Sequence, residues 1–261
     1  MRANTLQAAP TVERDNGDAI GRALVHDFFG RGHQLDAGPQ VYLGQQLDEG
    51  STIYAHFHDV DQFQVIVLGS GRFGRVPVQP ITIQYADAFA PYGPIVAAQD
   101  GLGFFVFRRR AATGGWKMPG NARLIPRPMG RRFFVNVNDW QTPPQEGGIC
   151  KEHLWGPAAD GLAIELFRLP PDATAAIPVG AAGDLHLMIC SGSLQHDGAH
   201  LPELSVLLPD EGDDKATITA GGDGAVVLAL KFPVPSDRPG SGPAKGIGDH
   251  DSYVRAIDPT G

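Results

Sequence analysis

The stretch GSTIYAHFHDVDQFQVIVLG, residues 50–69, constrains this chain more than any other part of it. It sets two histidines two residues apart, follows them with an acidic DVD turn, and ends in an apolar run closed by glycine. Side chains at i and i+2 of a strand share a face, so His56 and His58 present both imidazoles to one side. Imidazole suits Fe, Zn, Cu or Ni, and two such donors on one strand make a rigid half of a metal site. Gln62 and Gln64 are expected to face back towards them from the next strand, while Asp59 and Asp61 reach only from the turn. The same pattern also serves a polar cavity whose histidines simply hydrogen-bond.

The rest of the chain reads in the same style. Its 34 glycines and 22 prolines among 261 residues punctuate short apolar runs, which favours many strands joined by turns over long helices. PQVYLGQQLDEG (39–50), ITIQY (81–85) and GLGFFVFRRR (101–110) alternate or cluster as strands do. An all-β protein is expected. Residues 1–18 read as a loosely held arm, and AIGRALVHDFF (19–29) as a short helix in which Ile20, Ala23, Leu24 and Asp27 or Phe28 recur at helical spacing. The expected division is an arm and helix over 1–38, a first domain over 39–115, a linker over 116–131 with Trp116 and Met118 as anchors, a second domain over 132–235, and a tail over 236–261. Only Tyr253, Val254 and Ile257 offer that tail a docking contact. The second series of runs repeats the style of the first, a degenerate duplication of architecture without residue identity.

Charge narrows the partners. A formal charge of −8 and a pI near 5.5 disfavour a nucleic-acid surface. The runs Arg108, Arg109, Arg110 and Arg127, Arg131, Arg132 are expected to be solvated strand ends or connections. Cys150 and Cys190 are too few and too far apart for a disulfide scaffold, and Cys190 reads as a buried small hydrophobe. With no apolar leader at the N-terminus and no run long enough to cross a bilayer, a cytoplasmic location without a membrane partner is expected.

Gly50, His56-x-His58, Gln62 and Gly69 together resemble the first motif of the cupin superfamily in all spacings, with one departure: cupins usually have glutamate at the position of Gln62. Pro91-Tyr92-Gly93 resembles the turn of the second cupin motif, but the histidine position falls at Val96 and the usual asparagine at Asp100. Asp87 is similar to the aspartate before that motif. The second half resembles, more weakly, cupins related to the anti-sigma-factor ChrR domain, through NDWQTPPQEGGICKEHLW and IELFRLPPDATAAIPVG. No histidine stands where its site would be, around residues 174–179.

The resemblance implies two tandem double-stranded β-helix (cupin, jelly-roll) barrels, with a site only in the first. It implies a divalent metal held by His56, His58 and Gln62, with Fe(II) favoured, Zn, Ni, Mn or Cu as alternatives, and an empty site as the remaining case. His26, His33, His153 and His186 are the candidates for a replacement third nitrogen. Tyr54 shares the parity of the two histidines, so Tyr54 and Gln62 are the candidate catalytic residues, to orient a substrate or act as acid. Phe63, Tyr85, Phe89, Tyr92, Phe105 and Phe107 divide between pocket and packing. The expected function is a metal-dependent enzyme acting on a small organic molecule, an Fe(II) dioxygenase among the choices. The alternative is a non-catalytic bicupin that binds a small ligand or has a structural role. A homodimer is the expectation from the family.

Overall fold

A computed structural model describes residues 1–17, 20–30, 38–180 and 184–241. Apart from one 3-10 turn at Ala122–Leu124, every element is a strand. In chain order they are β1 (Arg2–Asn4), β2 (Thr11–Asp15), β3 (Arg22–Phe29), β4 (Gln40–Gln46), β5 (Thr52–Ile53), β6 (His56–Phe57), β7 (Gln62–Phe73), β8 (Val76–Val78), β9 (Thr82–Ala86) and β10 (Ile95–Arg108). They continue as β11 (Trp116–Lys117), β12 (Arg132–Asn136), β13 (Cys150–Trp155), β14 (Ala163–Leu169), β15 (Thr174–Pro178), β16 (Leu185–His196), β17 (Ala199–Leu201), β18 (Val206–Leu208) and β19 (Lys215–Lys231).

The strands form two units, one of Pro10–Asn136 with the described residues after Val234, the other of Met1–Ala9 with Val137–Val234. Each is a double-stranded β-helix built from antiparallel pairs. In the first, a sheet runs in the order β12-β9-β7-β10-β4-β3-β2, with β5 against β10 and β8 against β7, while β6 and β11 pair separately. In the second, the order is β1-β18-β16-β19-β14-β13, with β15 against β19 and β17 against β16.

Several boundaries differ from the sequence expectation. Residues 22–29 form a strand where a helix was expected. Ala23, Val25 and Asp27 share one face at period two, and pairing with both β2 and β4 satisfies the backbone that a lone helical turn would leave open. The expected arm supplies β1 to the second barrel and β2 to the first. The expected linker packs on the first barrel: Trp116 stacks on Phe57 with ring centroids 5.7 Å apart, and Leu124, Ile125 and Met118 join the same cluster. Residues 132–136 pair with β9 in the first barrel instead of opening the second. From the tail, Arg238 pairs with Asp61 at 2.9 Å and Asp87 at 3.1 Å, whereas Tyr253, Val254 and Ile257 lie outside the described residues. Among the described residues no helix is long and apolar enough to cross a membrane.

The two barrels repeat one construction. β7 and β10 cross at a bulge where Gly69, at φ +61°, lies so close to Gly101 that a Cβ would sit 2.2 Å from its carbonyl oxygen. β16 and β19 cross in the same way at Gly192, at φ +72°, against Gly224. Only glycine tolerates that combination of positive φ and contact. The interiors differ. The second barrel is filled by apolar side chains, among them Phe167, Ile177, Leu187, Ile189, Leu194 and Val227. The first carries rows across β7, β10 and β4 that grade from polar to apolar: Gln62–Arg108–Gln40, then Gln64–Val106–Tyr42, then Ile66–Phe104–Gly44.

Candidate metal and ligand site of the first barrel

Strand alternation builds this site. On β6 and the residue after it, Phe57 turns away into the cluster with Phe89 and Trp116 while His56 and His58 take the opposite face. Phe57 is completely buried, worth about 2–3 kcal/mol of transfer free energy, and it anchors the segment that carries the histidines. The two imidazole rings meet edge to face, centroids 5.0 Å apart.

Each histidine is oriented by a backbone carbonyl. His56 Nδ1–H donates to Tyr54 O and His58 Nδ1–H to Gly114 O, both at 2.6 Å. That tautomer leaves Nε2 as the free nitrogen of each ring, the arrangement that orients metal-binding imidazoles. Gly114 is positioned in turn by Asp59, which accepts from Thr113 N at 3.0 Å and Thr113 Oγ1 at 2.9 Å. At Gly115 a Cβ would stand 3.2 Å from His58 Cε1, a tight contact to which the imidazole would have to yield by a few tenths of an ångström, so the loop passes close against the ring. Burial, reinforced by the Arg108 charge, holds the His58 pKa well below the usual histidine value, and burial lowers that of His56 too. Both rings are therefore neutral and available as ligands at neutral pH.

Gln62 stands in the interior row, 1% exposed, and its carbonyl is already engaged. Gln62 Oε1 accepts from Arg108 Nε at 3.0 Å and from Nη2 at 2.9 Å, which uses both of its lone pairs. Arg108 Nη1 donates to Gln40 Oε1 at 2.9 Å, and the guanidinium lies 5.8 Å from the centre of the Tyr42 ring. Tyr92, from the Pro-Tyr-Gly turn, bridges to His56 through the backbone and sets its ring 4.6 Å from the imidazole. Its hydroxyl lies against Gln62 and Arg108, and burial raises its pKa, so it stays protonated.

The remaining sequence candidates lie elsewhere. Tyr54 is 48% exposed with its ring under Lys117, and it serves the site through its carbonyl instead of its phenol. β5 ends at Ile53, so the parity that relates Tyr54 to the histidines does not carry its side chain inwards. Asp59 and Asp61 are fully buried turn anchors. Val96 lies in β10 opposite Thr52 and Arg72, and Asp100 accepts from Ser70. Asp87 accepts from Tyr85 and Arg131. His26 bonds to Thr11 and Gln45 on the face opposite Asp27; His153 and His186 belong to the second barrel; His33 is outside the described residues. Phe63, Tyr85, Phe105 and Phe107 take the face of the sheet opposite Gln62 and Arg108. Cys190 is buried, its thiol pushed up to about 12 by desolvation.

Arg108, Arg109 and Arg110 correct the expectation of solvated strand ends, being 3%, 2% and 5% exposed. Arg108 continues the inward parity of Phe104 and Val106, and Arg110 pairs with Asp59. The alternation within GLGFFVFRRR was the signal that placed Arg108 inside. Its charge obscured that reading, because buried arginine is rare without a partner.

His56 and His58 are the residues that would hold a divalent transition metal, each through the Nε2 left free by its Nδ1 contact. Gln62 adds no third, and among the described residues no group of three or more His, Cys, Asp or Glu is placed to hold a metal ion. The site opens into a cavity of about 610 Å³ lined by Val12, Ile20, Val25, Gln40, Tyr42, Gln46, Ile53, His58, Phe104, Arg108 and Gly115, among others.

Both barrels thus have the cupin fold, and solved structures agree over nearly the whole chain. A putative dioxygenase from Nostoc punctiforme aligns with a TM-score of 0.58 at 10% identity, covering 88% of this chain and 81% of its own. Lactobacillus farciminis oxalate decarboxylase, in a formate complex, aligns at 0.56 and 8% identity over 89% and 86%. A bacterial pirin from Escherichia coli, in complex with nickel(II), aligns at 0.54 and 12% identity over 89% and 99%. No protein-family model and no curated protein matches the sequence.

Proposed function

We propose that the first barrel is the active site of a metal-dependent cupin enzyme acting on a small organic molecule, with an Fe(II) dioxygenase as the first reaction class to test. The second barrel, read as a degenerate ChrR-like cupin domain, has no role in the chemistry. The observation that carries the proposal is the pair His56 and His58, each neutral, each fixed at Nδ1 by a carbonyl, beside a ligand-sized cavity. The structural relatives whose names mention a dioxygenase, a decarboxylase and nickel(II) are consistent with that choice.

A metal bound there would supply Lewis acidity or, as Fe(II), one-electron chemistry with dioxygen. His56 and His58 hold their nitrogens in place without reorganisation. Burial keeps the Tyr92 phenol protonated beside Gln62 and Arg108, so it does not act as a base. Arg108 restrains Gln62, so coordination beyond the two imidazoles has to come from substrate or water.

The test is the metal content of protein purified without a chelating column and grown under varied metal supply. About one ion per chain is expected, lost in both His56→Ala and His58→Ala. Less than about 0.1 ion per chain, unchanged in the variants, would overturn the metal-dependent reading. The Gln62–Arg108 contact favours a second reading, a non-catalytic bicupin that binds a small ligand, and that result would leave it standing.

A further inference from the structure

Arg108 is a buried cation in the lining of the cavity, and its hydrogen-bond acceptors among the described residues are neutral. Three of its five N–H donors go to the Gln62 and Gln40 carbonyls, and among the described residues no carboxylate forms an ion pair with it. A buried charge is costly unless it is paired as well as hydrogen-bonded. The cavity does not neutralise itself. Its other charged side chains are Arg14 from β2 and Asp27 from β3, which cancel and leave the formal charge of Arg108.

The second barrel provides an internal comparison. Arg108 pairs across the ladder with Gln62 and Gln40, while the corresponding position at the end of β19, Lys231, pairs with Leu185 and Ala163. That lysine has a carboxylate: Glu165, on the same face of β14, lies 2.8 Å from it. The same construction therefore carries a cation paired with a carboxylate in the barrel whose interior is mainly apolar, and, in the barrel that holds this cavity, a cation with no carboxylate partner among the described residues.

We infer that the ligand of the first barrel is a small organic anion, a monocarboxylate with an apolar body, whose carboxylate pairs with Arg108. Val12, Ile20, Val25, Ile53 and Phe104 line the same cavity and receive the apolar part. Gln46 adds a second polar point. It is 3% exposed, its Nε2 is held by Ser51, and its Oε1 has no partner, so it accepts from a hydroxyl or amine on the ligand or from water. The inference rests on the first barrel being the ligand site and is independent of whether that site holds a metal.

The experiment uses the full chain, both as purified and after chelator treatment, and measures binding calorimetrically for two matched pairs of probes, benzoate with benzamide and octanoate with octanamide. Within each pair the shape is nearly constant while the negative charge is lost and one acceptor oxygen becomes an NH2 donor. Carboxylate binding at one site per chain is expected, about tenfold or more tighter than the amide, and retained after chelation. Arg108→Gln is expected to erase the preference and Arg108→Lys to keep part of it. Equal binding of acid and amide to the wild-type chain, no binding of either acid, or an undiminished preference in Arg108→Gln would overturn the inference. The wild-type comparison decides it even if a variant fails to fold. Arg108-dependent binding in a chain that carries no metal removes the metal-dependent reading and leaves this one intact; a metal-loaded chain without acid preference does the reverse.

Discussion

Gln62 and Arg108 show how one functional group changes the work of its neighbours. With glutamate at position 62, the inner row would contain its own anion for Arg108; with glutamine, the guanidinium keeps its charge and merely borrows a carbonyl. Gln62→Glu is therefore expected to form a buried ion pair, and benzoate binding should fall about tenfold as the added carboxylate occupies the guanidinium. Calorimetry on the folded variant checks this, and unchanged affinity would show that Arg108 does not bind the probe. At this scale the two histidines were legible because their spacing alone puts them on one face. The burial of Arg108 was not, since three consecutive arginines look solvated until the neighbouring strands are in place, and Tyr54 was misplaced because β5 ends one residue before it.

Elements that look peripheral in the sequence complete the first barrel. The tail residue Arg238 reaches the fully buried Asp61 and also Asp87, close to the turn that follows the histidines. Burial raises the Asp61 pKa and Arg238 opposes that shift, so the arginine is what keeps this carboxylate compatible with its position. Arg238→Ala is expected to cost about 2–3 kcal/mol, below the range for a wholly buried pair because Arg238 itself is partly exposed. The readouts are a lower melting temperature and faster exchange of the Ala88 amide, which donates to Asp61 at 2.8 Å; neither changing would show that the strap contributes nothing. β3 illustrates the limit of periodicity. Its short apolar run fits helical and strand spacing alike, and only the pairing offered by β2 and β4 chooses between them.

Across the whole molecule, one barrel construction is used twice with opposite interiors. In the second, burial disfavours ionisation of Glu165, but Lys151 at 2.5 Å and Lys231 at 2.8 Å outweigh it and lower its pKa below the ordinary 4.5. A depressed carboxylate pKa stabilises the fold above the unfolded value and loses that contribution as pH falls through the folded one. Glu165→Gln is accordingly expected to cost on the order of 1–2 kcal/mol at neutral pH, reduced because Lys151 can turn to water, and to approach the wild type as pH falls below 4.5. Thermal melting of both proteins from pH 7 to 3 checks the sign; a gap that widens on acidification would contradict it. The sequence by itself determined the all-β class, the duplication and the two same-face histidines, because glycine and proline punctuation and period-two alternation are local properties of a chain. Which segments complete each barrel, that Gln62 serves Arg108, and that the stretch of residues 50–69 opens onto a cavity whose buried cation has no carboxylate partner among the described residues were decided only by tertiary structure. Charge compensation and burial depend on strands far apart in sequence, and no local pattern records them.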